Sequence, residues 1–342
     1  MSLKSLLGSD TTVTIDLSRR PNDRERKQFD KRRTRLEKAY KSRATAIANA
    51  QSLVTAGQLE TVRIRTGFIR LDSPMVDDAS DRSAPPPEHR PPSTRLMNPN
   101  GIALRLMLIA LLEAQTRTAP GARAHGTPIP LRGHSSAEMA WTRLFSTPAE
   151  ASGAGKSRMS ITDKQWRQLQ TTLARLEAEG LIEPEKPDIK SGRYEGFFLL
   201  REDVRRGAVA DPYNVPDDEP YFEVPVSLFT RGWIHVLEDS ELALLLITAY
   251  LRHRYGGELQ AVPAGTRLLH YGLGRDAFEA HIMLSRLKLI DVAEDVDRNP
   301  NGKVTDYAKN GAQPHALLFL PGGLDRDAGT AVRGQLDYQL SR

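Results

Sequence analysis

The chain has 342 residues, a formal net charge of +5 and no cysteine. The length suits two or three domains; the missing thiols exclude disulfides and thiolate metal sites and agree with a reducing cytoplasm. Hydrophobic residues make up only 39%, so a well-buried core is expected over part of the chain, beside polar segments.

The charge is local. Residues 19–43 hold twelve Lys or Arg against four Asp or Glu, a balance of +8, which leaves −3 for the rest. Such an arm suits a polyanion, most often nucleic acid. Its alternative is a solvated helix face with no partner. Residues 1–21 read as weakly structured, with only Leu3, Leu6 and Leu7 near the start and no secretory signal. No apolar run exceeds about a dozen residues, too short to span a bilayer.

Residues 22–54 contain no Gly or Pro and predict a long helix with a thin stripe of Phe29, Leu36, Tyr40, Ile47 and Val54. Arg33, Arg43 and Gln51 interrupt that stripe, which argues against a coiled coil. Arg32 and Arg33 are among the arm's candidate phosphate contacts. Val62, Ile64, Thr66 and Phe68 alternate with Arg63 and Arg65, a half-exposed strand. Residues 73–99 collect seven prolines and predict an extended linker.

A globular unit is expected over 100–207. Residues 102–112 are apolar except Arg105, a helix buried on most sides. Residues 135–138, Ser-Ser-Ala-Glu, form a capping box before a short helix with Met139, Trp141, Leu144 and Phe145. After a loop comes the stretch that organises the chain, residues 159–182, a helix that ends at a glycine and turns into a strand. Trp166, Leu169, Leu173 and Leu176 share one helical face. Ser160 or Thr162 can cap its start, and Gly180 can close it in a left-handed conformation. The other face carries Lys164, Arg167, Gln168, Thr171 and Arg175 before it turns acidic at Glu177 and Glu179. Leu181 and Ile182 then open a strand. A polar tip with Lys186, Lys190, Gly192 and Arg193 follows, and a strand returns through Tyr194 and residues 197–200.

The order helix, helix, helix, strand, hairpin, strand, the Gly-Leu-Ile exit at 180–182 and basic residues in both helix and hairpin resemble the winged-helix form of the helix-turn-helix family. The resemblance covers about residues 100–205. It implies that the helix at 163–176 enters the major groove and that the hairpin touches the backbone. The plan recurs after a second linker at 208–220. A strand at 222–226, an apolar helix at 242–251, a short helix near 263–270, a turn at 271–276, a helix at 277–288, an exit strand at 289–292, a long polar tip and a return strand at 316–320 make a second unit over 221–321. The polar tail, 322–342, is expected to fray. The fold class expected is mainly α with small β hairpins (α+β), as two winged-helix units behind a basic arm of residues 1–72.

Other chemistry is not supported. Residues 153–157, Gly-Ala-Gly-Lys-Ser, invite a nucleotide reading, but Glu150 stands where a phosphate loop needs its first glycine. The eight histidines show no metal-binding spacing, the His-hydrophobic-His pattern of rolling-circle nicking enzymes is absent, and no G-x-S-x-G occurs. The reading is therefore not an enzyme, with no cofactor and no metal. The expected partner is double-stranded DNA: Lys164, Gln165, Arg167, Gln168 and Thr171 read bases, and Arg175, Lys190 and Arg193 hold phosphates. Arg275 and Arg286 stand against Asp276 and Glu279 in the second unit, so Arg275 is a weaker contact and that unit a candidate for self-association or protein docking. By architecture alone the chain is similar to plasmid-type replication initiators and to transcriptional regulators. The alternatives are a protein-interaction scaffold, or single-stranded or RNA binding through the arm, which the low aromatic content of 6% disfavours.

Overall fold

The computed structural model describes residues 20–75, 84–98, 101–133, 135, 138–148, 160–189, 192–293 and 314–342. The capping box at 135–138, the loop at 149–159, Lys190 and most of the second tip, 294–313, fall wholly or partly outside them. The described fold is helix-rich with small antiparallel sheets.

The basic arm is the helix α1 (Asp23–Lys38) running on into α2 (Tyr40–Gly57). Asn22 caps it reciprocally with Glu25, and hydrogen bonds from Ala39 to Arg35 and from Arg43 to Ala39 carry the helical ladder across the junction. The arm is not separable from the body. Its inward face is Phe29, Arg32, Leu36, Ala39, Arg43, Ala46 and Ala50, at helical spacing, while Tyr40 of the expected stripe is exposed. Phe29 and Leu36 face inward as expected, but from Ala39 on the buried face runs one residue earlier than the stripe of Tyr40 and Ile47, through Arg43, whose Nη1 donates to the Leu36 carbonyl at 3.2 Å.

The strand β1 (Thr61–Arg65) pairs antiparallel with β4 (Tyr221–Pro225) about Arg63 and Glu223. At the two ends Thr66 N donates to the Pro220 carbonyl at 3.1 Å and Val226 N to the Glu60 carbonyl at 3.0 Å, so the ladder closes the same way on both sides. Beneath it a buried network fixes the arm to the first unit. Arg65 Nη1 donates to Glu202 at 2.6 Å, and its Nη2 donates to the Asn214 carbonyl at 2.8 Å and Oδ1 at 2.7 Å. Arg65 and Glu202 are almost wholly buried, and burial raises the Glu202 carboxyl above its ordinary range against the pull of Arg65.

The core is one hydrophobic cluster around two apolar helices. Every residue of α4 (Ala103–Gln115) except Arg105 is buried. The matching α8 (Asp239–Tyr255) buries Leu242 through Leu251 and follows the short helices α6 (Ser227–Thr230) and α7 (Trp233–Val236). The first unit continues through a 3-10 turn (Trp141–Arg143), shorter than the expected helix, to α5 (Ile161–Ala178) and the pair β2 (Ile182–Glu183) and β3 (Phe198–Leu199). The second runs through β5 (Gln260–Ala261), a π-helical turn (Thr266–His270), α9 (Arg275–Phe278), α10 (Ala280–Arg286), β6 (Ile290–Ala293) and β7 (Ala316–Phe319), with sheet order β5-β7-β6.

Three expectations are corrected. Residues 91–96 of the proline-rich stretch are buried rather than extended in solvent. The short helix α3 (Pro92–Arg95) buries Ser93, Thr94 and Arg95; Thr94 Oγ1 donates to the Tyr271 carbonyl at 3.0 Å, and Arg95 pairs with Glu179 at 3.1 Å. The second linker is also stitched in: Tyr213 and Val215 are buried, with backbone bonds to Leu199 and Ala122. The tail forms α11 (Ala328–Leu340), started by Asp327 capping Thr330 and packed on α1 and α7 through Val332 and Leu336. In each case the partners lie far away in sequence, where no local pattern shows them.

Candidate nucleic-acid interface

The sequence builds α5 as expected at both ends. Ser160 Oγ accepts from Asp163 N at 3.1 Å and Ser160 N donates back to the Asp163 carboxylate at 3.3 Å. The Ser160 hydroxyl, also bonded to that carboxylate at 2.7 Å, holds it below the usual carboxylate range. At the far end Gly180 sits at φ +71°, and Leu181 N bonds the Leu176 carbonyl at 2.9 Å. Leu169, Thr172, Leu173 and Leu176 face the core. Trp166 is half-buried, with the Arg132 guanidinium 4.9 Å above its ring.

This burial leaves Arg167, Gln170, Thr171 and Ala174 exposed, spaced at three and four residues along one ridge. Arg167 and Thr171 are therefore presented to solvent; Lys164, Gln165 and Gln168 are half-buried along its flanks. Gln170 joins the ridge without having been singled out. Its position three residues after Arg167 was the available signal. Arg175 donates to the Arg95 carbonyl at 2.7 Å and is half-buried. Arg193 ion-pairs with Glu177 and donates to the Pro187 carbonyl at 2.6 Å. Arg175 and Arg193, two of the three expected phosphate holders, are thus committed to the fold; Lys190 lies outside the described residues. Glu177 also accepts from Tyr194, whose hydroxyl is pushed up to about 12 by burial and then by that carboxylate.

On the arm the two singled-out arginines, Arg32 and Arg33, both face carboxylates of this chain. Arg32 is buried, with a bidentate pair to Glu241 at 2.6 and 2.7 Å and a bond to the Val236 carbonyl at 2.9 Å. It cannot meet a phosphate without stranding Glu241. Its place, three residues after Phe29 and four before Leu36, put it on the inward face from the start. Arg33 lies between Asp30 at 2.8 Å and Asp337 at 3.6 Å. The outward face of the arm instead carries Arg24, Lys27, Lys31, Arg35, Lys38 and Lys41, all exposed and again at three- and four-residue steps. A turn at the C-terminal end of α5 adds exposed Arg205 and Arg206, the latter 4.0 Å from Glu179.

Two grooves of opposite net charge flank α1, one lined jointly with α5 and the other with α9 and α10. On the α5 side a groove of about 390 Å³ is lined by Arg32, Arg35, Arg105 and Lys164 with one carboxylate, Glu238. On the α10 side a groove of about 720 Å³ is lined by Lys31, Arg32, Arg35 and Arg286 against Glu25, Asp30, Glu238, Glu241, Asp276 and Glu279. Arg275 is exposed at the start of α9, beside those last two acids. The positive field therefore lies on the α5 side of the arm.

Among the described residues no three His, Asp or Glu cluster as metal ligands, and no helix is long and apolar enough to cross a membrane. The His281 and His315 rings lie tilted with centroids 4.8 Å apart, and His281 Nδ1 is bonded to the Phe278 carbonyl at 2.7 Å, an arrangement that ties the second hairpin to α9 and α10. No family model, curated protein or solved structure matches the chain.

Proposed function

We propose that this protein binds double-stranded DNA through two winged-helix units, with α5 as the base-reading helix, in the manner of a replication initiator or transcriptional regulator of a mobile element. The observation that carries the reading is the juxtaposition of two exposed faces. The ridge of Arg167, Gln170 and Thr171 offers donors and acceptors to base edges. Beside it, across a cation-lined groove, runs the basic stripe of α1, which suits the phosphate backbone. The winged-helix reading is supported by the element order in both units and by the third strand that joins the hairpin in the second.

The test is selection of bound fragments from a random duplex pool, followed by affinity measurements across salt. R167A and T171A should each cost about 1–3 kcal/mol at the selected site and relax preference at one position. K27E/K31E should weaken all duplexes alike and flatten the salt dependence. A full-length protein with no salt-sensitive retention on duplex DNA would sink the proposal. The acid-rich groove between α1 and α10 favours a second role for the second unit, as a surface for a protein partner rather than for DNA.

A further inference from the structure

In each unit the helix before the hairpin ends in the same way. Leu181 N bonds the Leu176 carbonyl at 2.9 Å, and Leu289 N bonds the Leu284 carbonyl at 2.9 Å. Leu200 N closes the first hairpin on the Leu181 carbonyl at 3.0 Å, and Leu320 N closes the second on the Leu289 carbonyl at 2.9 Å. Both helix ends therefore match at an offset of 108 residues, from 176 to 284 and from 181 to 289. At that offset the positions of Arg167, Thr171 and Ala174 are held by Arg275, Glu279 and Ile282, and that of Gln168 by Asp276. The second unit thus carries carboxylates and an apolar side chain where the first presents its polar ridge.

Those carboxylates form one wall of the groove between α1 and α10; the basic stripe of α1 forms the other. Several charges at the groove are spent inside the chain: Arg32 on Glu241, Arg35 on Glu238 and Asp30 on Arg33. Exposed Lys31, Asp276 and Glu279 are not, and exposed Lys27 continues the line of Lys31 four residues earlier. Among the described residues no ion pair joins Lys31 across the groove to Asp276 or Glu279. Half-buried Phe29, Ala280 and Ile282 also line it. Apolar area between charged rims is the make-up of a protein interface. The opposite signs of the two rims decide the occupant. A polyanion is repelled by the acidic wall, and a uniformly basic chain by the stripe. The complement has both signs in reverse order, and this groove turned about a two-fold axis is such a surface.

We propose that the groove between α1 and α10 is a self-association surface. Two copies pack about a two-fold axis, and Lys27 and Lys31 of each face Asp276 and Glu279 of the other. This rests on the protein-partner reading of the groove given above, which it narrows to a second copy, and stands apart from the DNA reading.

The experiment is sedimentation of the full chain from about 1 to 100 μM, free of nucleic acid, at low and at high salt. The wild type should dimerise, and more weakly at high salt. K27E/K31E and D276K/E279K should each weaken the dimer at least about tenfold, because each sets like charges face to face at both ends of the interface. An equimolar mixture of the two variants should restore dimers, since one copy is then acidic on both walls and the other basic on both. That recovery also shows that both variants fold; circular dichroism checks the fold of each alone. A wild type that stays monomeric overturns the self-association, and the protein-partner reading then requires a different chain. Variants that dimerise as tightly as the wild type overturn this groove as the surface, and the protein-partner reading with it. A mixture of folded variants that stays monomeric overturns the two-fold pairing.

Discussion

His235 makes the stability of this fold depend on pH in a way that can be worked out in advance. The residue lies on α7 at the junction of the two units. Burial, and then the repulsion of Arg105 on α4 and Arg43 on α2, lower its pKa to about 3. In the unfolded chain an imidazole titrates near 6.5. A base whose folded pKa is depressed stays neutral in the native state and takes a proton only on unfolding. The native state therefore keeps its full advantage above about pH 6.5, and loses it as the pH falls toward 3. At pH 5 the loss is ~1.5 pH units at 1.36 kcal/mol each, or ~2 kcal/mol, a sizeable part of a stability of about 5–15 kcal/mol. With an unfolding entropy of roughly 2.1 cal/mol/K per residue, this corresponds to a fall in Tm of ~3 °C over and above what the carboxylates contribute. The assay is calorimetric Tm for wild type and H235N between pH 7.5 and 5.0. The variant shares every other titration, so its fall should be smaller by that amount. Parallel curves would show that His235 is not held neutral and would refute the reasoning.

Other expectations follow from the same contacts. R65M should cost about 3–5 kcal/mol by leaving Glu202 charged and buried, while R65M/E202M should recover most of it; equal losses in urea unfolding would show that the pair is not coupled. Gly272 sits at φ +63°, and a Cβ there would lie 2.8 Å from Arg90 Cβ and Thr94 Oγ1. G272A should therefore cost about 2 kcal/mol and speed proteolysis at Arg90 and Arg95; unchanged proteolysis would deny that segment its packing. D276K/E279K, which reverses the acidic wall facing the arm, should raise non-specific duplex affinity without changing the selected sequence, and a changed sequence would place α10 among the reading elements.

The elements with strong internal periodicity were legible. The helix α5, expected over 163–176 and found over Ile161–Ala178, is legible from Ser160, Leu169, Leu173, Leu176 and Gly180, since its caps and its apolar face lie within one window. The apolar helices α4 and α8, and the strand exits after α5 and α10, are legible for the same reason. The helix α11 has a legible face, Ala328, Val332, Leu336 and Gln339 at four, four and three residues, which the polar composition around it masks. The packed proline-rich segment was not legible. Its order comes from Arg95 meeting Glu179 and Thr94 meeting Tyr271, contacts that a local window cannot contain, and proline-rich composition is compatible with either outcome.

The arm shows most clearly how charge and register compete. Counting charge marks residues 19–43 as a polyanion-binding segment but does not say which cations face out. Register answers that. Arg32 shares the face of Phe29 and Leu36, and burying it there requires the carboxylate of Glu241. A truncation of the arm would thus strip a wall from the core and leave Glu241 unpaired, so loss of DNA binding in such a variant would report unfolding. Single reversals at Lys27 or Lys31, whose charges stand in solvent, separate the two effects. The internally paired arginines fix where α1 lies, and its position puts the outward cations beside Arg167 and Thr171. One helix thereby supplies both the scaffold and the electrostatic half of the proposed interface.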